Sequence, residues 1–283
     1  MKIKSILQVF VLSALAAACG SEPQTSEEIM TEPAATEQAE TTAVLDIILP
    51  TPSQMIGTFE TANLGYTENL INSLENNVKY TSKNTKLMNL GVYSADLGYM
   101  VLGERFDKSK QYFKQILDLA KETGLSEVYD PSIYAGRFEK NIGKKDSILI
   151  LIGEISESMD WFVAAYEQPE LAVLSYAGAW IELNYLASKN INASNKSAIL
   201  RKIMDQMNYN KMIIAAIKGL NNNNSEITSV VAEMEKLDEA FVKIPAIAEA
   251  GGKFRSKGAD LNAIDATELF KQLEQTRKTL TQN

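Results

Sequence analysis

The sequence predicts an all-α fold, an irregular stack of antiparallel helical hairpins. Three observations carry that expectation. Apolar residues recur at helical spacing almost everywhere beyond Pro50, credible alternating strands are few, and helix starts and stops punctuate the chain at short intervals.

In chain order, residues 44–49 alternate poorly before Pro50 and read as an extended segment docked on the body. Ser53 to Asn63 and Tyr66 to Asn76 are expected short helices divided by Gly65. A helix over Thr85 to Glu104 precedes another from Phe106 to Thr123, which Gly124 stops by accepting a left-handed conformation. Asp130 caps the next, with Pro131 in the first position, where its missing N–H costs nothing; this helix runs to about Asn141 and ends at Gly143. Asp146 or Ser147 starts a helix that reaches Tyr166; its five-residue apolar run fits a buried strand too, and the long helical pattern that continues through it favours helix.

Pro169 opens a helix ending near Asn190, Ser194 caps one from Lys196 to Leu220, and Asn221 to Asn224 form a hinge. Ser225 to Lys243 is helical, and Gly251, Gly252 and Gly258 loosen the connection that follows. Asp265 and Glu268 make a D-x-x-E capping box ahead of Leu269, Phe270, Leu273 and Leu280. The pair spanning Leu97 to Leu117 follows a tetratricopeptide hairpin, but its 34-residue period does not recur, so a repeat array is not expected.

Composition removes whole classes of chemistry. The 283 residues contain no histidine and one cysteine. That excludes a Ser-His-Asp triad, a Cys-His pair, His-ligated zinc, an intramolecular disulfide and a four-cysteine metal site. The formal charge of -8 disfavours nucleic acid, which needs a basic footprint. Without the two leader lysines and the seven acids of residues 20–50, 26 basic and 29 acidic residues remain, a net of -3. The acidity belongs to a tail.

Lys2 and Lys4, an apolar run from Ile6 to Leu15, and Ala16, Ala17 and Ala18 before Cys19 form the layout of a secretory signal. Cysteine at that place resembles a bacterial lipobox, although Ala16 stands where leucine is usual. Residues 1–19 are therefore expected to be a signal peptide whose cleavage leaves Cys19 carrying acyl chains such as palmitate. Each buried CH2 of those chains adds roughly 0.8 kcal/mol to anchoring. Residues 20–43 are Glu, Thr, Ala, Pro and Gln and read as a disordered acidic tether. Residues 44–283 make one all-α domain.

Three stretches are candidates for function. Gly91, Ala95 and Gly98 at i, i+4 and i+7 leave one helix stripe nearly bare. Tight helix packing is the ordinary reason, and a ligand pressed into a groove is the functional one. Asn89, Tyr93 and Asp96 occupy the neighbouring stripe, and a buried Asp96 needs a partner, for which Arg137 is the candidate. Ser175, Gly178, Ala179 and Glu182 repeat the pattern of small residues ending in an acid, with Trp180 off that stripe as core. Asp96 and Glu182 facing each other would allow general acid/base hydrolysis of the glycosidase kind.

Glu154, Glu157 and Asp160 at i, i+3, i+6 have the spacing of a metal ladder but no histidine to complete one, so a solvated face is expected. Lys140, Lys144 and Lys145 read as a helix end. No cofactor, metal site or catalytic residue is assigned.

Leu49-Pro50-Thr51-Pro52, residues 90–97, residues 137–141 with Asp146-Ser147, and residues 178–182 occur in an order that resembles a family of uncharacterised helical lipoproteins from Bacteroidetes-type bacteria. The likeness spans roughly residues 45 to 220 and is most specific over residues 90–97. It implies an all-α fold and an envelope location, and carries over no catalytic residue.

The resulting expectation is a lipid-anchored helical binding module without catalysis, at the outer membrane and facing the periplasm or the cell surface. Its partners would be the membrane, through the lipid, and an envelope protein or small ligand. Its contact groove would lie beside Gly91, Gly98 and Gly178. A carboxylate hydrolase of envelope glycan and a structural spacer are the alternatives.

Overall fold

The computed structural model describes residues 52–220 and 224–282. The signal peptide, Cys19, the tether, the 44–49 segment and three of the four hinge asparagines lie outside them.

Among the described residues there are eleven α-helices and no strand. They are α1 (Pro52–Glu60), α2 (Lys83–Leu102), α3 (Ser109–Thr123), α4 (Pro131–Asn141), α5 (Lys145–Tyr166), α6 (Pro169–Lys189), α7 (Lys196–Met207), α8 (Asn210–Gly219), α9 (Ser225–Val242), α10 (Pro245–Glu249) and α11 (Thr267–Gln282). None is long and apolar enough to cross a membrane.

Helices α2 and α6 form the axis of the molecule. Every residue of α6 from Leu174 to Ser188 is buried, and α2 is buried from Thr85 to Val101 with few breaks. A helix apolar on all sides belongs inside a wrapping of others. Here α1, α5, α7, α8 and α11 pack around α6, while α3 and α9 cover α2. The most extensive packing joins α2 to α6, which are not neighbours in sequence. Peripheral helices such as α3 and α11 keep one apolar stripe and a charged outer face, as single-sided burial requires.

Local signals place most boundaries. Gly124 takes φ 90° after α3, and Asp130 accepts the Ser132 N–H at 2.8 Å with Pro131 opening α4. Asp265 accepts the Thr267 N–H at 3.0 Å at the start of α11.

Three expectations are corrected. Helix α5 begins at Lys145, without a side-chain cap from Asp146 or Ser147. Ser194 does not cap α7; it sits in a turn where Asn192 Oδ1 accepts the Ser194 and Asn195 N–H groups at 2.9 and 3.3 Å. The expected helix from Lys196 to Leu220 breaks at Asn208 and Tyr209. There the Asn208 amide bridges both backbone groups of Phe254, at 2.9 and 3.0 Å, tying the break to the loop after α10.

The largest departure is residues 66–76, expected as one helix. They form an irregular strap with 3-10 turns at Glu68–Leu70 and Leu74–Lys79. Several of its backbone groups are spent on side chains of α2 and α3. The Thr67 N–H donates to Tyr99 at 2.6 Å and the Asn72 N–H to Asp96 at 3.0 Å. Asn72 O accepts from Tyr112 at 2.7 Å and Ser73 O from Tyr93 at 2.9 Å. With these polar groups satisfied by side chains, the strap needs no helical ladder where it lies against the helices, and Asn72 is its buried residue.

Candidate functional site

Gly91 and Gly178 meet each other's helix. A Cβ on Gly91 would fall on the Ser175 carbonyl oxygen and 2.8 Å from Ala179 N, and one on Gly178 would fall on Met88 O. Gly98 faces the side chain of Ile56 in α1. The bare stripe is therefore filled by helix packing, and the expected contact groove beside these glycines is interior. Trp180, fully buried, lies in the core as its position off the stripe implied.

The neighbouring stripe faces the strap and α11. Asn89 Nδ2 donates to Thr85 O at 2.9 Å and Leu280 O at 3.1 Å, and Tyr80 donates to Thr281 O at 3.2 Å. Tyr93 packs against Tyr80 and Tyr112, with ring centroids 6.4 and 5.9 Å away. Burial raises the Tyr80 phenol to about 12 and pushes Tyr93 and Tyr112 higher, so all three stay neutral donors.

Asp96 and Glu182 do come together, and both are 0% exposed. The partner that sequence reasoning assigned to Asp96 is wrong. Arg137 lies on the surface, gripping Glu154 with two hydrogen bonds of 2.6 and 2.8 Å. The cation of the buried pair is Arg277 from α11. It binds Glu182 bidentately at 2.9 and 3.0 Å, donates to Leu70 O at 3.2 Å, and stacks 4.8 Å from the Tyr185 ring centroid. Arg277 stands 95 positions from Glu182 on a helix that reads from sequence as a plain amphipathic one, so no local signal announced it.

One guanidinium cannot neutralise two buried carboxylates. Burial, then the Glu182 charge, push the Asp96 carboxyl well above the usual carboxylate range, against the pull of Arg277 and the Asn72 N–H. Burial opposes the Arg277 charge, but Glu182 outweighs it and keeps the guanidinium charged. Glu182 thus holds the bidentate ion pair with Arg277, and Asp96 is the acid whose carboxyl is pushed up. Asp96 Oδ1 has no N–H or O–H donor against it, so a hydrogen bond between the two acids needs a proton on one of them.

The sign of the pH effect follows. A carboxyl raised in the folded state keeps its proton after the unfolded chain has lost its own, near pH 4. Stability therefore falls as pH climbs above that value towards the folded pKa. Asp96→Asn keeps the shape, accepts from Asn72, donates to Glu182 and cannot ionise. Its stability relative to the wild type should rise between pH 5 and pH 8 in denaturant titrations. A gap that stays constant across that range would show that Asp96 is ionised in the fold.

An open site lies elsewhere. A depression of about 470 Å3 sits between α4, α5 and the loop ahead of α4. Tyr134 and Phe162 are buried in its wall, while Trp161 is 63% exposed. Three carboxylates, Glu127, Glu154 and Glu157, line it, and among the described residues no lysine or arginine does. Tyr134 and Ser158 share a 3.2 Å hydrogen bond that ties α4 to α5.

Among the described residues no cluster of three acids, cysteines or histidines is arranged to hold a metal ion, and Arg137 occupies Glu154. Lys145 of the basic loop pairs with Glu60 at 2.7 Å. Sequence reasoning treated 154, 157 and 160 as a face to be solvated and took Trp161 only as evidence of helix. The available signal was the stripe of Ile150, Glu154, Glu157 and Trp161 at i, i+4, i+7 and i+11, which puts acids between two exposed apolar groups. No protein-family model, curated protein or solved structure matches the chain.

Proposed function

We propose that the chain is a lipid-anchored envelope protein whose helical body is a non-catalytic binding module, with the depression between α4 and α5 as its contact site. One observation carries the placement. Asp96 and Glu182 are sealed from solvent, while the large indole of Trp161 stands exposed over a concave wall. An acid/base pair acting on a glycan has to line an open cleft. Binding sites instead combine a concavity with apolar surface and a few polar groups.

Capture from envelope fractions tests the reading. The full chain should retain a species that its Trp161→Ser variant does not. Identical recovery by both would remove the depression as the contact site.

The anchor rests on the leader and on Cys19. The full chain should fractionate with membranes and Cys19→Ala should lose that association, because stable insertion of this kind depends on acyl chains. A Cys19→Ala chain still found in the membrane pellet would count against lipidation.

A further inference from the structure

We propose that the depression between α4 and α5 binds an organic cation, an ammonium or guanidinium on an apolar stem, held between the Trp161 indole and the carboxylates of Glu127 and Glu157. This inference rests on the depression being the contact site.

The wall already shows how it holds a cation. The Arg137 guanidinium lies 5.9 Å from the Tyr134 ring centroid and is gripped by both oxygens of Glu154. Ring and carboxylate together form one filled cation seat, and the cation is the protein's own.

A second set of ring and carboxylate lies in the same wall, with no lysine or arginine paired to it among the described residues. Trp161 meets Tyr166 edge-on, with centroids 6.5 Å apart at 88°. The Tyr166 hydroxyl donates to Glu127 at 3.2 Å, so one side chain links the exposed indole to the acid. Glu157 lines the same wall one helical turn before Trp161. Neither Glu127 nor Glu157 forms an ion pair with a described lysine or arginine. Tyr166 also packs 4.5 Å from Phe162, which fixes the aromatic side of the seat.

Charge decides the ligand class. With Arg137 balancing Glu154, the wall keeps the two negative charges of Glu127 and Glu157 beside a large π face. An indole face attracts cations more strongly than other rings do, and uncompensated carboxylates repel anions. A volume of about 470 Å3 suits a small ligand or one projecting side chain.

The test is calorimetric titration of the full chain with Nα-acetyl-lysine N-methylamide and with its uncharged norleucine analogue. The lysine probe should bind saturably, and the norleucine probe about tenfold more weakly or worse. Trp161→Ser and the Glu127→Gln/Glu157→Gln double variant should each weaken the lysine probe by about tenfold. These side chains are exposed, so the fold tolerates the changes. Trp180 is fully buried and Trp161 is the other of the two tryptophans, so a shift in emission on binding reports the indole in the wall.

A lysine titration that never saturates, or equal affinity for the two probes, overturns the cation assignment. So does saturable binding of a neutral oligosaccharide where the lysine probe fails. Each of these leaves Trp161-dependent capture from envelope fractions untouched. Loss of that capture difference instead removes the contact site itself.

Discussion

Arg277→Met is expected to cost the fold about 3–5 kcal/mol, because it leaves the Glu182 carboxylate buried without a counter-charge. The geometry leaves Glu182 no substitute. Its side chain has no exposure, both oxygens face Arg277, and the carboxyl beside it is a second acid. Methionine keeps the apolar stem of arginine and its packing, so the loss comes from the charge and its hydrogen bonds. The same change frees Leu70 O and loosens the strap that covers Tyr93 and Tyr112. Urea titration of the two chains measures it. Adding Glu182→Leu should recover much of the loss, since a buried ion pair replaced by apolar groups is often neutral. A single-variant loss below about 1 kcal/mol would mean that water reaches the pair.

Gly91→Ala and Gly178→Ala are expected to cost about 3 kcal/mol each, the upper end for an overpacked core. The added methyl meets a backbone carbonyl of the facing helix in both cases, and backbone cannot rotate out of the way. The only relief is to separate α2 from α6, the contact around which the other helices are arranged. Gly98→Ala supplies the internal comparison. Its methyl meets the tip of Ile56, a flexible side chain, so the cost should be nearer 1 kcal/mol. A gain at all three positions, which alanine's higher helix propensity alone would give, would contradict the close approach.

The helical elements were legible because their signals are local. Asp130 with Pro131, and Gly124, act within one turn of the backbone they cap, and they appear where the sequence places them. The bare stripe at Gly91 and the burial of Trp180 follow from helical spacing alone. Contacts that join distant segments were not legible. Arg277 reaches Glu182 across 95 positions of chain, and residues 66–76 lose their helix to hydroxyls and carboxyls of α2 and α3. Helical periodicity in that strap was real but outweighed by tertiary hydrogen bonds. The depression was half legible. The stripe through Trp161 is readable, while the Glu127 and Tyr134 sides arrive from other segments.

The sharpest measurement sets Asp96→Asn beside Trp161→Ser in one capture experiment from envelope fractions, using the full chain. Asp96→Asn should retain every species that the wild type retains, because the cluster it alters is sealed in the core. Trp161→Ser should lose at least one. Loss with Asp96→Asn and full retention with Trp161→Ser would contradict the assignment and return the functional site to the buried carboxylates.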